Sequence, residues 1–168
     1  MKTIVRMVDV PINDWNNQTK GTVTLEISDG EFVLLLGPNG SGKSYLLNLM
    51  AALRVPRVGE VFLEGKRLTK MSERQKRAWR AGLGLIPSDP VLLNGYTVLE
   101  GLVLTAQLLG KSAADAKRNA LESASLCGLD PYLNARAESL SVGVKKRVVI
   151  ARSLVIDSFN LYRSAVLR

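Results

Sequence analysis

Two hydrophobic rhythms alternate along the chain. Residues 2–9 and 22–27 are extended, β-branched runs that predict strands. Asp29-Gly30 then turns the chain into Phe32–Leu36, an unbroken apolar run that predicts a strand buried in a parallel or mixed sheet. After a glycine-rich stretch the period lengthens. Lys43–Leu53 reads as a helix, with Leu46, Leu47, Leu49, Met50 and Leu53 on or beside its buried side. Gly59–Leu63 and Leu83–Ile86 predict further strands, separated by a short basic helix at Ser72–Arg80. Thr97–Leu109 is apolar and helical in pattern. Ser112-Ala113-Ala114-Asp115 has the spacing of a capping box and starts a helix running towards Cys127, closed by Gly128-Leu129-Asp130-Pro131. Val142–Val155 predicts one more helix. The mixture is α/β, with a helical insertion in a single domain.

Composition narrows the class. A chain of 168 residues with 46% hydrophobic content can bury a real core, which argues against disorder. Val98–Leu109 is too short to span a bilayer and is interrupted by Glu100 and Gln107. The N-terminus enters a strand-like segment, where a signal peptide would carry a long apolar region. Cys127 stands alone, so no intrachain disulfide forms, and a reducing cytoplasm fits. The net charge of +8 gathers in Lys66–Arg80 and Lys145–Arg152. Such charge reads either as a solvated basic face or as the footprint of an anionic partner, nucleic acid or a membrane surface. Trp79, the lone aromatic of the first patch, is the only stacking group it offers a nucleic acid.

The sharpest chemistry lies at residues 37–44, Gly-Pro-Asn-Gly-Ser-Gly-Lys-Ser. An apolar strand, this loop and a following helix form the context of a nucleoside-triphosphate site. Gly37, Gly40 and Gly42 let the backbone turn sharply and approach phosphates without a side chain in the way. Their amides, with those of the first helical turn, point donors at an anion. Lys43 supplies positive charge for the β- and γ-phosphates, and Ser44 a hydroxyl for magnesium. Asn39 and Ser41 shape the loop. Trp15 is either a stacking platform for the base or an ordinary rim tryptophan. The loop itself does not separate ATP from GTP.

Taken together, the chain resembles the nucleotide-binding subunit of an ATP-binding-cassette (ABC) transporter over most of residues 2–155. Gly37–Ser44 matches that family's first phosphate motif, the Walker A loop. Leu140-Ser141-Val142-Gly143-Val144-Lys145-Lys146-Arg147 falls where its Leu-Ser-Gly-Gly-Gln signature and basic continuation belong, and Ala151-Arg152-Ser153-Leu154 resembles the run that follows. Arg80–Asp89, then Thr97-Val98-Leu99-Glu100, resembles the entry to the helical subdomain. The resemblance implies a P-loop NTPase core of ABC type, with N-terminal antiparallel β elements and a helical subdomain at about 90–140, the whole of 1–168 forming one incomplete domain. It implies ATP and Mg2+ as ligands, with Ser44 as the metal contact. A second nucleotide-binding domain would pair head to tail, meeting the bound nucleotide with Ser141 and Gly143. Membrane-spanning subunits would be partners, docked near the helical subdomain, with the chain cytoplasmic and peripheral to the inner membrane face.

Departures from the pattern bear on turnover. Ser88 stands where the lid glutamine is expected, with Asp89 beside it. Val142 and Val144 replace the signature's glycine and glutamine. Ser164 and Ala165 occupy the acidic Walker B positions, Asp157 lies earlier and out of phase, and the core strands expected afterwards are missing. The chain has no histidine, so the switch histidine is absent. The catalytic residues are therefore unassigned and hydrolysis is doubtful. The alternatives are a non-catalytic nucleotide sensor or scaffold, a soluble ABC protein acting on nucleic acid, and an unrelated small-molecule kinase.

Overall fold

A register change in the first strand organises the N-terminal part of the molecule. The computed structural model describes residues 1–13, 19–87, 89–155 and 165–166. Its elements are β1 (Thr3–Asn13), β2 (Thr19–Ser28), α1 (Lys43–Met50), β3 (Glu60–Leu63), β4 (Lys66–Arg67), α2 (Glu73–Ala81), β5 (Leu85–Ile86), α3 (Val98–Leu108), α4 (Ala113–Leu126), α5 (Val142–Val155) and β6 (Ala165–Val166). They fall into two compact units, Met1–Arg80 and Ala81–Arg168.

In the first unit, β2-β1-β3-β4 form an antiparallel sheet. Val5 and Met7 face the core, opposite Leu63 and Val61 of β3. Between Met7 and Val10 the pairing to β2 slips by one residue, because Met7 opposes Leu25 while Val10 opposes Val23. This bulge shifts the side-chain phase, so Val10 is buried although it lies an odd number of residues from Met7. Asp9 carries the kink at φ 48°, held by its own amide donating to Thr24 Oγ1 at 3.0 Å. Gly59 packs against it. A Cβ there would lie 2.4 Å from the Asp9 carbonyl oxygen, and the residue sits at φ +78°, so glycine is required twice over. Leu46 and Leu49 of α1, Leu68, Met71 and Trp79 complete this core.

Three expectations for this unit are corrected. Phe32–Leu36 is not a strand: Glu31–Pro38 runs without regular structure, with Phe32 89% and Leu34 67% exposed. A central strand needs neighbours offering backbone donors and acceptors on its edges, and no described strand pairs with this run. Helix α1 stops at Met50, not Leu53. Ala52 adopts φ 52°, and the turn puts Leu53 into solvent. Trp79 is no stacking platform, since its ring is buried and its Nε1 donates to the Met50 carbonyl at 2.8 Å.

The second unit is built on α3, α4 and α5. Val98, Leu102 and Ala106 of α3 pack with Ala116, Ala120 and Ala124 of α4 and with Val144, Val148, Ala151 and Val155 of α5. The alanine stripe at four-residue spacing lets α4 approach its neighbours closely. The starts of α3 and α4 are both capped, the second at the Ser112 position that the sequence indicates. Thr97 and Glu100 form a full capping box, and the Ser112 hydroxyl accepts from the Asp115 amide at 3.1 Å. The Asp115 carboxyl is held below its ordinary value by the Ser112 hydroxyl first and by the Arg118 charge second. Strands β5 and β6 pair in parallel, Leu85 opposite Ala165. Gly84, just before β5, passes Ser153 of α5 so closely that a Cβ would lie 3.1 Å from the serine Cβ.

Candidate functional site

The glycine loop folds around its own lysine. Gly40 and Gly42 take φ +78° and +86°, the left-handed region where a side chain is strained, and Gly42 hands the chain to α1 as its N-cap. Gly37 is closed to a larger residue by Ser41, whose Oγ would lie 2.7 Å from an added Cβ. The Ser41 amide donates to the Pro38 carbonyl at 3.2 Å, closing the turn. Lys43 Nζ donates to the carbonyls of Gly37 and Pro38, each at 2.7 Å, and to Ser41 Oγ at 3.4 Å. The ammonium is thus held over the loop by neutral acceptors, which a phosphate oxygen would outcompete through charge.

The start of α1 completes the anion cradle. The first intrahelical bond runs from the Leu46 amide to the Gly42 carbonyl, so the amides of Lys43, Ser44 and Tyr45 have no intrahelical acceptor. These donors and the helix dipole favour negative charge at this end. No acidic residue lies in the first turn to compete with an anion. Asn39, Gly40 and Ser44 are exposed, leaving the Ser44 hydroxyl open to a metal carried by phosphates. The donor set is therefore cationic and amide-rich, which fits a polyphosphate. No cluster of three His, Cys, Asp or Glu side chains occurs among the described residues, so protein carboxylates there form no independent metal cage.

The remaining candidates are dispersed. Ser141 is exposed and precedes α5, where its hydroxyl accepts a long bond from the Val144 amide at 3.4 Å and its carbonyl accepts from Lys145. It thus serves as an ordinary helix cap while remaining accessible. Gly143 faces open space, with nothing within 4 Å of an added Cβ, and Val142 is exposed beside it. Asp89 is exposed in a bend. Ala165, at an acidic position of the expected pattern, lies in β6 beside Leu85. Trp15, Ser88, Asp157 and Ser164 lie outside the described residues.

One feature of the second unit was not read from the sequence. Leu92, Leu93, Tyr96, Leu102 and Thr105 line a small open cleft with Arg152 of α5 at its edge. Arg152 is half-buried, donates to the Val91 carbonyl at 3.1 Å, and has its pKa lowered by that burial. The signal available was an arginine inside an otherwise apolar helix face.

Comparison with known proteins agrees with this architecture. The ABC transporter family pattern matches residues 21–159. An uncharacterised ABC transporter ATP-binding protein of Thermotoga maritima is 35% identical over 162 residues, covering 94% of this chain and 69% of its own length. The lipoprotein-releasing system ATP-binding protein LolD of Bacteroides thetaiotaomicron is 34% identical over 134 residues, covering 79% and 62%. A dimeric ATP-binding cassette solved in a post-hydrolysis state with ADP and Pi superposes with a TM-score of 0.80 at 28% identity, covering 91% of this chain and 70% of that one. The chain spans only 59% of the length of a second relative, from Methanocaldococcus jannaschii, so these proteins extend well beyond the matched region. With a phosphate loop of this geometry inside a matched α/β scaffold, the chain belongs to the ABC transporter family.

Proposed function

We propose that this chain is the ATP-binding component of an ABC-type membrane transporter and takes Mg-ATP at Gly37–Ser44. The observation that carries the reading is the Lys43 ammonium, poised over loop carbonyls at the amide-rich start of α1. On this reading Lys43 neutralises the β- and γ-phosphates while the loop and helix amides orient them, with Gly37, Gly40 and Gly42 giving the backbone its close approach. Asn39 and Ser41 hold the loop's shape. Ser44 would offer its hydroxyl to Mg2+, which would supply positive charge to offset that of the phosphates. Trp15 is assigned to stacking on the adenine.

Ser141 and Gly143, exposed at the start of α5, are assigned to a second nucleotide-binding domain's ATP in a head-to-tail pair. Val142 crowds that approach and weakens it. Membrane-spanning subunits are assigned to the apolar cleft beside α3, whose lining pairs aliphatic side chains with the Arg152 guanidinium. The chain then works at the cytoplasmic face of the membrane, with a helical subdomain spanning about 90–140.

Turnover is a separate matter. Positioned carboxylates and a lid glutamine orient the attacking water and can each account for orders of magnitude in rate. Ser88, Ser164 and Ala165 supply none of these groups, and Lys43 cannot replace them. This favours a second reading, a non-catalytic nucleotide sensor or scaffold that binds ATP and signals through its partners. A multiple-turnover phosphate-release assay on residues 1–168 with Mg-ATP decides between them. Release no faster than in a Lys43→Ala variant supports the sensor. Release that depends on Lys43 restores the transport ATPase and requires ligands other than the expected acids.

A further inference from the structure

Beyond the nucleotide site, the first unit displays an unusual surface behind α1. We infer that Leu53–Val58, backed by the basic helix α2, is a contact surface for an anionic lipid bilayer. The sequence Leu53-Arg54-Val55-Pro56-Arg57-Val58 interleaves aliphatic and guanidinium side chains. Pro56 turns inward and is buried, while its neighbours turn out. Leu53, Val55 and Val58 are 55%, 45% and 64% exposed, large aliphatic side chains left in solvent at a turn. Arg54 and Arg57 are exposed and form no ion pair with another described residue.

The turn is held in place by α2. Arg80 Nη1 donates to the Ala52 carbonyl at 2.7 Å and Trp79 Nε1 to the Met50 carbonyl at 2.8 Å. The inward face of α2 therefore grips the chain just before Leu53, and its outward face presents Arg74 and Arg77, one helical turn apart. Glu73, the acidic residue of that helix, is paired with Lys76 at 3.0 Å. A fixed turn whose outward aliphatic groups alternate with the exposed Arg54 and Arg57 combines the two signals that peripheral membrane contact requires: apolar area entering the acyl boundary and cations at the headgroups. A nucleic-acid surface would draw little from branched aliphatic groups, and the one tryptophan of this region is buried rather than offered for stacking.

The test is co-sedimentation of residues 1–168 with phosphatidylcholine vesicles, with and without about 30% phosphatidylglycerol, at low and high salt. Binding is expected to the anionic vesicles and to weaken with salt. Arg54→Gln with Arg57→Gln should lower partitioning about 30-fold. Val55→Ser with Val58→Ser should also lower it, leaving a remnant more sensitive to salt, and this second pair reads the surface if the arginine pair fails to fold by circular dichroism. Lys111→Gln with Lys117→Gln removes the same charge from exposed positions of the other unit and should change partitioning by less than about twofold. Three results would overturn the inference: no preference for anionic vesicles, equal losses in the lysine control, or loss in the arginine pair of binding to a single-stranded RNA probe with no vesicle binding in the parent protein.

Discussion

Leu34 and Leu102 are the same residue in opposite situations. Leu102 sits in α3 at 1% exposure, surrounded by α4 and α5, elements that follow within the same helical unit. Leu34 lies in the apolar run before the phosphate loop at 67% exposure, with no described strand beside it. Both segments are strongly apolar, so hydrophobicity does not separate them. What separates them is where the covering surface comes from. Helices satisfy their own backbone and need only side-chain contacts from their neighbours, whereas a central strand needs another strand on each edge before burial is tolerable. The phosphate loop next to Leu34 shows the same rule from the other side: its turn, lysine contacts and helix cap lie within a few residues, and it forms.

Substitutions sharpen this contrast in order of size. Leu102→Ala empties a packed site and should cost about 3 kcal/mol, within the usual range for a buried leucine, seen as a lower midpoint in urea denaturation. Lys43→Ala should leave that midpoint nearly unchanged while weakening Mg-ATP binding by tenfold to a hundredfold, roughly the worth of one or two charge-assisted hydrogen bonds. Ser112→Ala removes the cap of α4 and should cost about 1 kcal/mol. It should also flatten the acid limb of stability. Because the Asp115 pKa is depressed in the folded protein, its contribution is present above the ordinary value of 3.8 and is lost as pH falls through the lower folded value. Leu34→Lys should change stability by less than about 0.5 kcal/mol, a small effect for so large a change of polarity. A cost near that of Leu102→Ala would show that Leu34 is covered after all and would break the comparison.

The sequence made the local features legible and the distant ones less so. Ser112 with Asp115 and the Gly40 and Gly42 positions announce themselves because each acts on atoms a few residues away, whereas the Thr97–Glu100 box of the same spacing was passed over. The loop's ability to hold an anion was readable for the same reason. Phe32–Leu36 was misread because its period and composition describe a buried strand without saying whether partners are at hand. Leu53 was misread because one left-handed residue, Ala52, ends the helix early, and alanine gives no warning of that. Trp79 looked like a surface aromatic in a basic patch, yet the Met50 carbonyl that holds it is 29 residues away. Gly59 is required by the bulge at Asp9, a pairing no local pattern predicts. The Arg152 cleft likewise joins residues from α5 with the start of α3.

The most direct measurement is a calorimetric titration of Mg-ATP into residues 1–168, with Lys43→Ala titrated alongside. The account expects saturable binding at one site in the parent protein and a loss of tenfold or more in the variant, with both chains unfolding at the same urea concentration. Equal binding by the two folded proteins, or none by the parent, would contradict the assignment of Gly37–Ser44 as a working nucleotide site.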